Sequence, residues 1–276
     1  MPPDSQSESQ HRRSLLTGVF VVLAALLIWR LAQRQPAPTA ADTEVHLAPH
    51  ADSRVLRTRE SVVVGNSPRF YVLARPAELE PGVLYPLLVA FHGYRGEAKA
   101  WFHESSAFDT FVAEKKFLIA YPEAPISWDA GTRGRDLPFF DGLVLALEQK
   151  LPVDRARIHV VGHSNGAAFA SFLLSARPAV IASGAVQAGL GTPAPQAAAR
   201  KAPLLLMWGE RDEFSPAASD RDIPAVAKWR KSGFQIETWF LSKCGHGWGG
   251  PAHHVEERVL EFFSEHPMDK VVQPAR

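Results

Sequence analysis

The pentapeptide Gly162-His163-Ser164-Asn165-Gly166 sets a serine between two glycines, where the strand-like run Ile158-His159-Val160-Val161 gives way to helix-forming Ala167-Ala168-Phe169. A sharp strand-to-helix turn of this kind holds its middle residue in strained backbone geometry, and side chains at the flanking positions would collide with the neighbouring elements. The hydroxyl is then exposed at a helix N-terminus, where free N–H groups and the helix dipole favour a developing oxyanion. The chemistry is nucleophilic attack by Ser164 on an acyl carbon. The bland alternative is a glycine-bounded turn with an ordinary N-capping serine.

A serine hydroxyl is a weak nucleophile at neutral pH and needs a positioned base, most often a histidine oriented by a carboxylate. The strand-elbow-helix arrangement orders such a triad serine, acid, histidine along the chain. His246 fits the third place: Cys244-Gly245-His246-Gly247-Trp248 follows a strand ending at Leu241, and its glycines let a loop carry an imidazole over the sheet end. His253 and His254 fall in the last helix, and His163 reads as packed or near the site mouth. For the acid, Gly209-Glu210-Arg211-Asp212-Glu213 follows the strand 203–208, and Asp212, on the turn before Phe214-Ser215-Pro216, is the choice. Glu213 is the runner-up and Glu210 lies nearer the strand. An oxyanion hole needs one N–H from the residue after the nucleophile, Asn165, and one from the loop Phe91-His92-Gly93-Tyr94-Arg95-Gly96. Tyr94 N–H is assigned as the second donor, with Gly93 as the alternative and His92 as a brace for the loop.

These residues need a scaffold that gathers distant loops. Strands are predicted over 61–64, 70–73 and 87–92, then a helix over 98–115 and a strand over 117–121. A helix over 138–150, a strand over 158–162 and a helix over 165–176 follow, with strands over 182–187 and 204–208. The pattern closes with a helix over 223–231, a strand over 235–241 and a helix over 253–263. Alternating buried strands and helices predict an α/β fold, a mostly parallel central sheet with helices on both faces. The leading strand pair predicts an antiparallel edge. In such sheets the chemistry sits at the carboxyl ends of the strands, where every motif above falls.

Of the 276 residues, 46% are hydrophobic and 21% charged, enough to bury a core. Thirty basic and 29 acidic residues give a formal charge of +1, which removes the electrostatic footprint of a general nucleic-acid binder. The single cysteine, Cys244, excludes an intrachain disulfide and a Cys-based zinc site. Arg12-Arg13 precede an uncharged, mostly apolar run over 14–29 closed by Arg30. As a helix this run reaches about 24 Å, just able to span if Arg30 snorkels and Leu31 and Ala32 join it. Residues 1–32 therefore read as a cytoplasmic tail plus signal anchor, with a cleaved signal peptide or a twin-arginine export signal as alternatives. Residues 33–52 read as a flexible linker, 53–267 as the catalytic domain, held outside the cytoplasm, and 268–276 as a C-terminal tail.

With these pieces in order, the sequence resembles the α/β-hydrolase superfamily, in particular its polyhydroxybutyrate depolymerase and feruloyl esterase-like branch, over about residues 70–263. The resemblance is carried by Tyr85-Pro86-Leu87-Leu88-Val89 before His92-Gly93, by Tyr121-Pro122 with Ser127-Trp128, and by Val153-Asp154-Arg155-Ala156-Arg157-Ile158 before the serine pentapeptide. Trp208-Gly209 with Asp212 and Pro216, then Gly245-His246 with Trp248-Gly249, complete it. It implies the α/β-hydrolase fold, ester hydrolysis through an acyl-enzyme, no cofactor or metal, and catalytic roles at Ser164, Asp212 and His246. Secreted members often carry cysteine pairs and polymer-binding modules; this chain shows neither, so a small or soluble ester is expected over a polymer. Trp128 and Trp248 are candidate substrate-pocket walls, with a place in the buried aromatic core as the alternative. The competing readings are a peptidase or thioesterase with the same triad, and a non-catalytic, membrane-anchored binding domain of the same fold.

Overall fold

The run Leu87-Leu88-Val89-Ala90-Phe91 has no polar face to turn to water, so its strand must be covered on both sides. In the computed structural model, which describes residues 52–95, 106–129, 136–193, 200–217 and 219–269, it lies inside an eight-stranded sheet. The strands are β1 (Val55–Val64), β2 (Ser67–Pro76), β3 (Tyr85–Phe91), β4 (Leu118–Pro122), β5 (Val153–His163), β6 (Ser183–Gln187), β7 (Leu204–Gly209) and β8 (Ile236–Leu241). The helices are α1 (Phe108–Lys115), α2 (Leu137–Lys150), α3 (Asn165–Ala176), α4 (Pro224–Lys231) and α5 (Val255–Glu265). Across the sheet the order is β1-β2-β4-β3-β5-β6-β7-β8. β2 pairs antiparallel with β1 and β4, and every pairing from β4 through β8 is parallel.

Alternation along β3 divides the core into two layers. Leu87, Val89 and Phe91 point into the layer built with α2, α3 and α4, whereas Leu88 and Ala90 point into the layer built with α1 and α5. Wholly buried Phe169 of α3 sits between Phe91, edge-on at 5.1 Å, and Trp128, stacked at 5.5 Å. Burying such a ring contributes about 1.5–3 kcal/mol and fixes α3 against the sheet. Because the parallel strands share one direction, the loops after β3, β5, β6, β7 and β8 open at the same edge of the sheet.

The antiparallel pair at the chain start is longer than its sequence pattern suggests. β1 begins at Val55 because its charged residues find partners: Arg59 pairs with Glu123 at 2.9 Å and Glu60 accepts the Tyr71 hydroxyl at 2.8 Å. The last helix starts at Val255, not His253, because His254 takes a left-handed conformation with φ 53°. The expectations for an apolar anchor over 14–29, for all but Asp52 of a linker over 33–52 and for most of the C-terminal tail fall on residues 1–51 and 270–276, outside the described residues. Among the described residues no helix is long and apolar enough to cross a membrane.

A buried charge cluster ties the edge strand to the rest. Asp109 of α1 accepts the Tyr121 hydroxyl at 2.6 Å and pairs with Arg57 of β1, its own side chain 3% exposed. Burial next to Asp109 holds the Tyr121 phenol well above its ordinary pKa, so it remains a donor. Removing the carboxylate would leave a guanidinium and a hydroxyl buried without it. Asp109→Ala is expected to lower stability by about 3–5 kcal/mol in urea unfolding, and a loss below about 1 kcal/mol would contradict the cluster's structural role.

Candidate active site

β5 ends at His163 and α3 begins at Asn165, so Ser164 alone turns the chain. It does so at φ 54°, ψ −117°, a conformation that side-chain-bearing residues rarely adopt. Two close backbone approaches make the turn. A Cβ at Gly162 would lie 2.4 Å from Gly166 O, and one at Gly166 would lie 2.2 Å from Phe91 O. Glycine is required at both positions. Ser164 N–H donates to Gln187 O at 2.9 Å, fixing the elbow to the end of β6.

Loops after β7 and β8 meet the hydroxyl. His246 Nε2 lies 2.9 Å from Ser164 Oγ, and His246 Nδ1 lies 2.9 Å from Asp212 Oδ2. Asp212 is completely buried, and its other oxygen accepts the N–H groups of Phe214 and Ser215 at 2.9 and 3.0 Å. An Asp212 carboxylate can only accept, so His246 Nδ1 carries the proton in this pair and Nε2 presents its lone pair to the serine hydroxyl. The His246 side chain is 21% exposed, open enough for substrate to reach it.

The other candidates separate by position. Glu213 Oε2 accepts His246 N–H at 3.1 Å and Glu210 Oε2 accepts Lys243 N–H at 3.3 Å, so both brace the histidine loop by main-chain bonds. His253 donates to Ser242 O at 2.9 Å and His254 is paired with Glu257 on the surface. His163 is buried beside His246, and burial depresses its pKa to about 4, which keeps it neutral. His92 Nδ1–H donates to Gly93 O at 2.7 Å while its Nε2 accepts Ala124 N–H at 3.0 Å. Since a trans peptide sets C=O and N–H on opposite sides, tying Gly93 O to the His92 ring turns Tyr94 N–H the other way.

Neither tryptophan lines the cleft. Trp128 does not wall the pocket: it is 3% exposed, stacked with Phe139 and Phe169, and its indole N–H donates to His92 O at 2.9 Å. Asn165 locks it further, its Oδ1 accepting Trp128 N–H at 2.7 Å. Trp248 also lies off the cleft, edge-on to His163 and donating to buried Glu256 at 2.8 Å. Burial separates an aromatic wall from an aromatic core, and sequence does not report it. The cleft over Ser164, about 550 Å³, is lined instead by Gly93, Tyr94, His163, Phe214, His246 and Gly247. Tyr94 is 57% and Phe214 77% exposed, and Phe214 packs edge-on against the His246 ring at 4.8 Å. Phe214 went unread because one aromatic on a polar turn has no periodic pattern. Among the described residues no group of three or more His, Cys, Asp or Glu is arranged to hold a metal ion.

No family model and no curated protein matches the sequence. Solved structures do. A ferulic acid esterase superposes with TM-score 0.60 at 17% identity, covering 77% of this chain and 98% of its own. An S-formylglutathione hydrolase from Agrobacterium tumefaciens gives 0.61 at 12% identity, covering 80% and 98%. An acylaminoacyl peptidase from Pyrococcus horikoshii gives 0.59 at 16%, covering 81% of this chain and 43% of its own. The chain has the α/β-hydrolase fold. It spans 63% of a thermostable esterase that it also matches, at TM-score 0.57 and 18% identity. Within the α/β-hydrolase fold, Ser164 occupies the strand-to-helix elbow, and the loops bearing Asp212 and His246 follow in the order the elbow requires.

Buried neutral histidines make an acid-sensitive fold. Burial lowers His163 to about 4 and His159, stacked on Phe263, to about 3, from an ordinary value of 6.5. The unfolded chain therefore binds more protons between pH 6.5 and those values, and the contribution is complete above pH 6.5 and lost as pH falls. By pH 5 each histidine is expected to have removed about 2 kcal/mol. Urea midpoints at pH 7 and pH 5 check this: His159→Gln should reduce the difference, and an unchanged difference would contradict the burial argument.

Proposed function

We propose that the chain is a serine hydrolase of carboxylic esters working through an acyl-enzyme. The observation that carries this is the unbroken hydrogen-bonded row from Ser164 Oγ through His246 to buried Asp212, each link 2.9 Å, at the carboxyl ends of three different strands. His246 Nε2 takes the serine proton as Oγ bonds to the acyl carbon, and Asp212 stabilises the imidazolium that forms. The N–H groups of Asn165 and Tyr94 receive the oxyanion, with the His92-to-Gly93 bond orienting the second donor. Collapse breaks the carbon–oxygen bond, and the alcohol leaves with the proton from His246. Water then attacks the acyl-serine, gives a proton to His246, and the acid departs as that proton returns to Ser164.

The open cleft with exposed Tyr94 and Phe214 suits the acyl or alcohol group of a small or soluble ester. The ferulic acid esterase among the structural neighbours agrees with the polyhydroxybutyrate depolymerase and feruloyl esterase-like resemblance. An S-formylglutathione hydrolase and an acylaminoacyl peptidase among them make thioester and amide the competing linkages. The run over 14–29 supports placing this domain outside the cytoplasm on a membrane anchor, to be checked by membrane fractionation of the full-length chain.

The full-length protein is expected to hydrolyse p-nitrophenyl esters from acetate to decanoate faster than matched thioesters and anilides. Ser164→Ala, with unchanged circular dichroism, should lose at least about 1000-fold in kcat/KM. Equal activity in the two proteins would overturn the nucleophile assignment, and anilide or thioester turnover exceeding ester turnover would replace the ester reading.

A further inference from the structure

Two buried polar side chains beside the triad have no part in the chemistry just described. His163 ends β5, Gln187 ends β6, and the two are partners in the parallel register of those strands. Gln187 is completely buried. Both side chains reach the loop that carries the base. His163 Nε2–H donates to His246 O at 2.6 Å, Gln187 Nε2–H donates to Gly247 O at 2.6 Å, and Gln187 Oε1 accepts Gly249 N–H at 3.1 Å. The Gln187 main-chain carbonyl meanwhile accepts Ser164 N–H at 2.9 Å. One residue is thus bonded to the main chain of the nucleophile and to the loop of its base.

That loop is otherwise held from the β7 side, by Glu213 on His246 N–H and Arg211 N–H on Cys244 O, and at its far end by His253 on Gly249 O. Gly245, Gly247, Gly249 and Gly250 surround His246, and glycine leaves more backbone states to be restricted than any other residue. A Cβ at Gly247 would meet nothing within 4 Å, so packing does not confine that residue. Its carbonyl is instead held by Gln187, with the Cys244 thiol on the same oxygen at 3.7 Å. The donors are well matched to carbonyl acceptors: an amide is always protonated, and burial keeps the His163 ring neutral, with one N–H committed to His246 O.

Resting on the triad assigned above, we infer that His163 and Gln187 form a clasp that fixes the Gly245–Gly249 segment, acting as positioning residues that set the rate of acyl transfer through His246; Gln187, wholly buried and off the cleft, does so without touching substrate. A displacement of about 1 Å at a reacting group costs on the order of 100-fold in rate. A residue that merely fills space would change stability and leave kcat alone.

The test uses the full-length protein with a p-nitrophenyl ester. His163→Leu and Gln187→Met are each expected to lower kcat by about 10- to 100-fold, with the KM of Gln187→Met within about 3-fold of wild type. His163→Gln, whose side-chain N–H can reach the same carbonyl, should recover kcat to within about 3-fold of wild type. Combining His163→Leu with Gln187→Met should cost less than the product of the single losses, since both release one loop. Proton NMR supplies a readout that packing alone would not move: the downfield His246 Nδ1–H resonance should survive in Ser164→Ala and broaden in the apolar clasp variants. Should His163→Leu fail to fold, His163→Asn, polar but too short to reach His246 O, takes its place with the same expectation. Full kcat in the folded apolar or Asn variants, or no rescue by His163→Gln, overturns the clasp. A wild-type protein whose turnover does not depend on Ser164 overturns the triad reading instead.

Discussion

The site depends on one strained residue. Ser164 at φ 54° and ψ −117° lies outside the ordinary conformations of L-residues, at a cost on the order of 1–3 kcal/mol. It stays there because β5 and α3 are each anchored independently. Phe169 locks α3 between Phe91 and Trp128, and the β5 end is paired with β3 on one side and β6 on the other. The bare backbones at Gly162 and Gly166 then let helix, strand and the end of β3 approach closely enough for the turn to close. The consequence is a hydroxyl held proud of the sheet edge, at the start of a helix, with one place for a base to meet it.

Sheet topology supplies that base from a distance. β3 and β5 are neighbours, so the His92-Gly93-Tyr94 loop opens beside the elbow, while β7 and β8 bring Asp212 and His246 from more than 40 residues further along the chain. Each side is fixed within itself by polar groups, Asp212 and His92 both being buried. Asp212 gives one oxygen to its own turn and the other to His246, and His92 shares its two nitrogens between the Gly93 carbonyl and the Ala124 amide. Each such bond has a single geometry, whereas apolar contacts would allow several. A loop rich in glycine is thereby given a defined conformation without losing the small cross-section that lets it fold over the strand ends.

Much of this was legible along the chain, for physical reasons that differ residue by residue. The central strands read clearly because strands covered on both faces must be apolar throughout, as Leu87 to Phe91 shows. The elbow read clearly because only glycines tolerate its backbone approaches, and the positions of Asp212 and His246 followed from where strands end. β1 was read short because Arg57, Arg59 and Glu60 look solvated until Asp109, Glu123 and Tyr71 are seen opposite them. Whether Trp128 walls the pocket or joins the core is not legible along the chain, because its burial comes from Phe91, Phe139 and Phe169, contacts that only the fold brings together. Gln187 was not singled out at all: a polar residue after Ala185-Val186 looks like any strand end, and its partners lie 60 and 62 residues away.

The central claim is that Ser164, alone among the serines, is a nucleophile made reactive by the folded arrangement around it. Treating the native protein and a urea-unfolded sample with a fluorophosphonate, then mapping the adduct by peptide mass spectrometry, tests this directly. The account predicts stoichiometric modification confined to Ser164 in the native protein, abolished by unfolding and strongly slowed in His246→Ala. Native protein that stays unmodified, or carries the adduct on another residue, would contradict it.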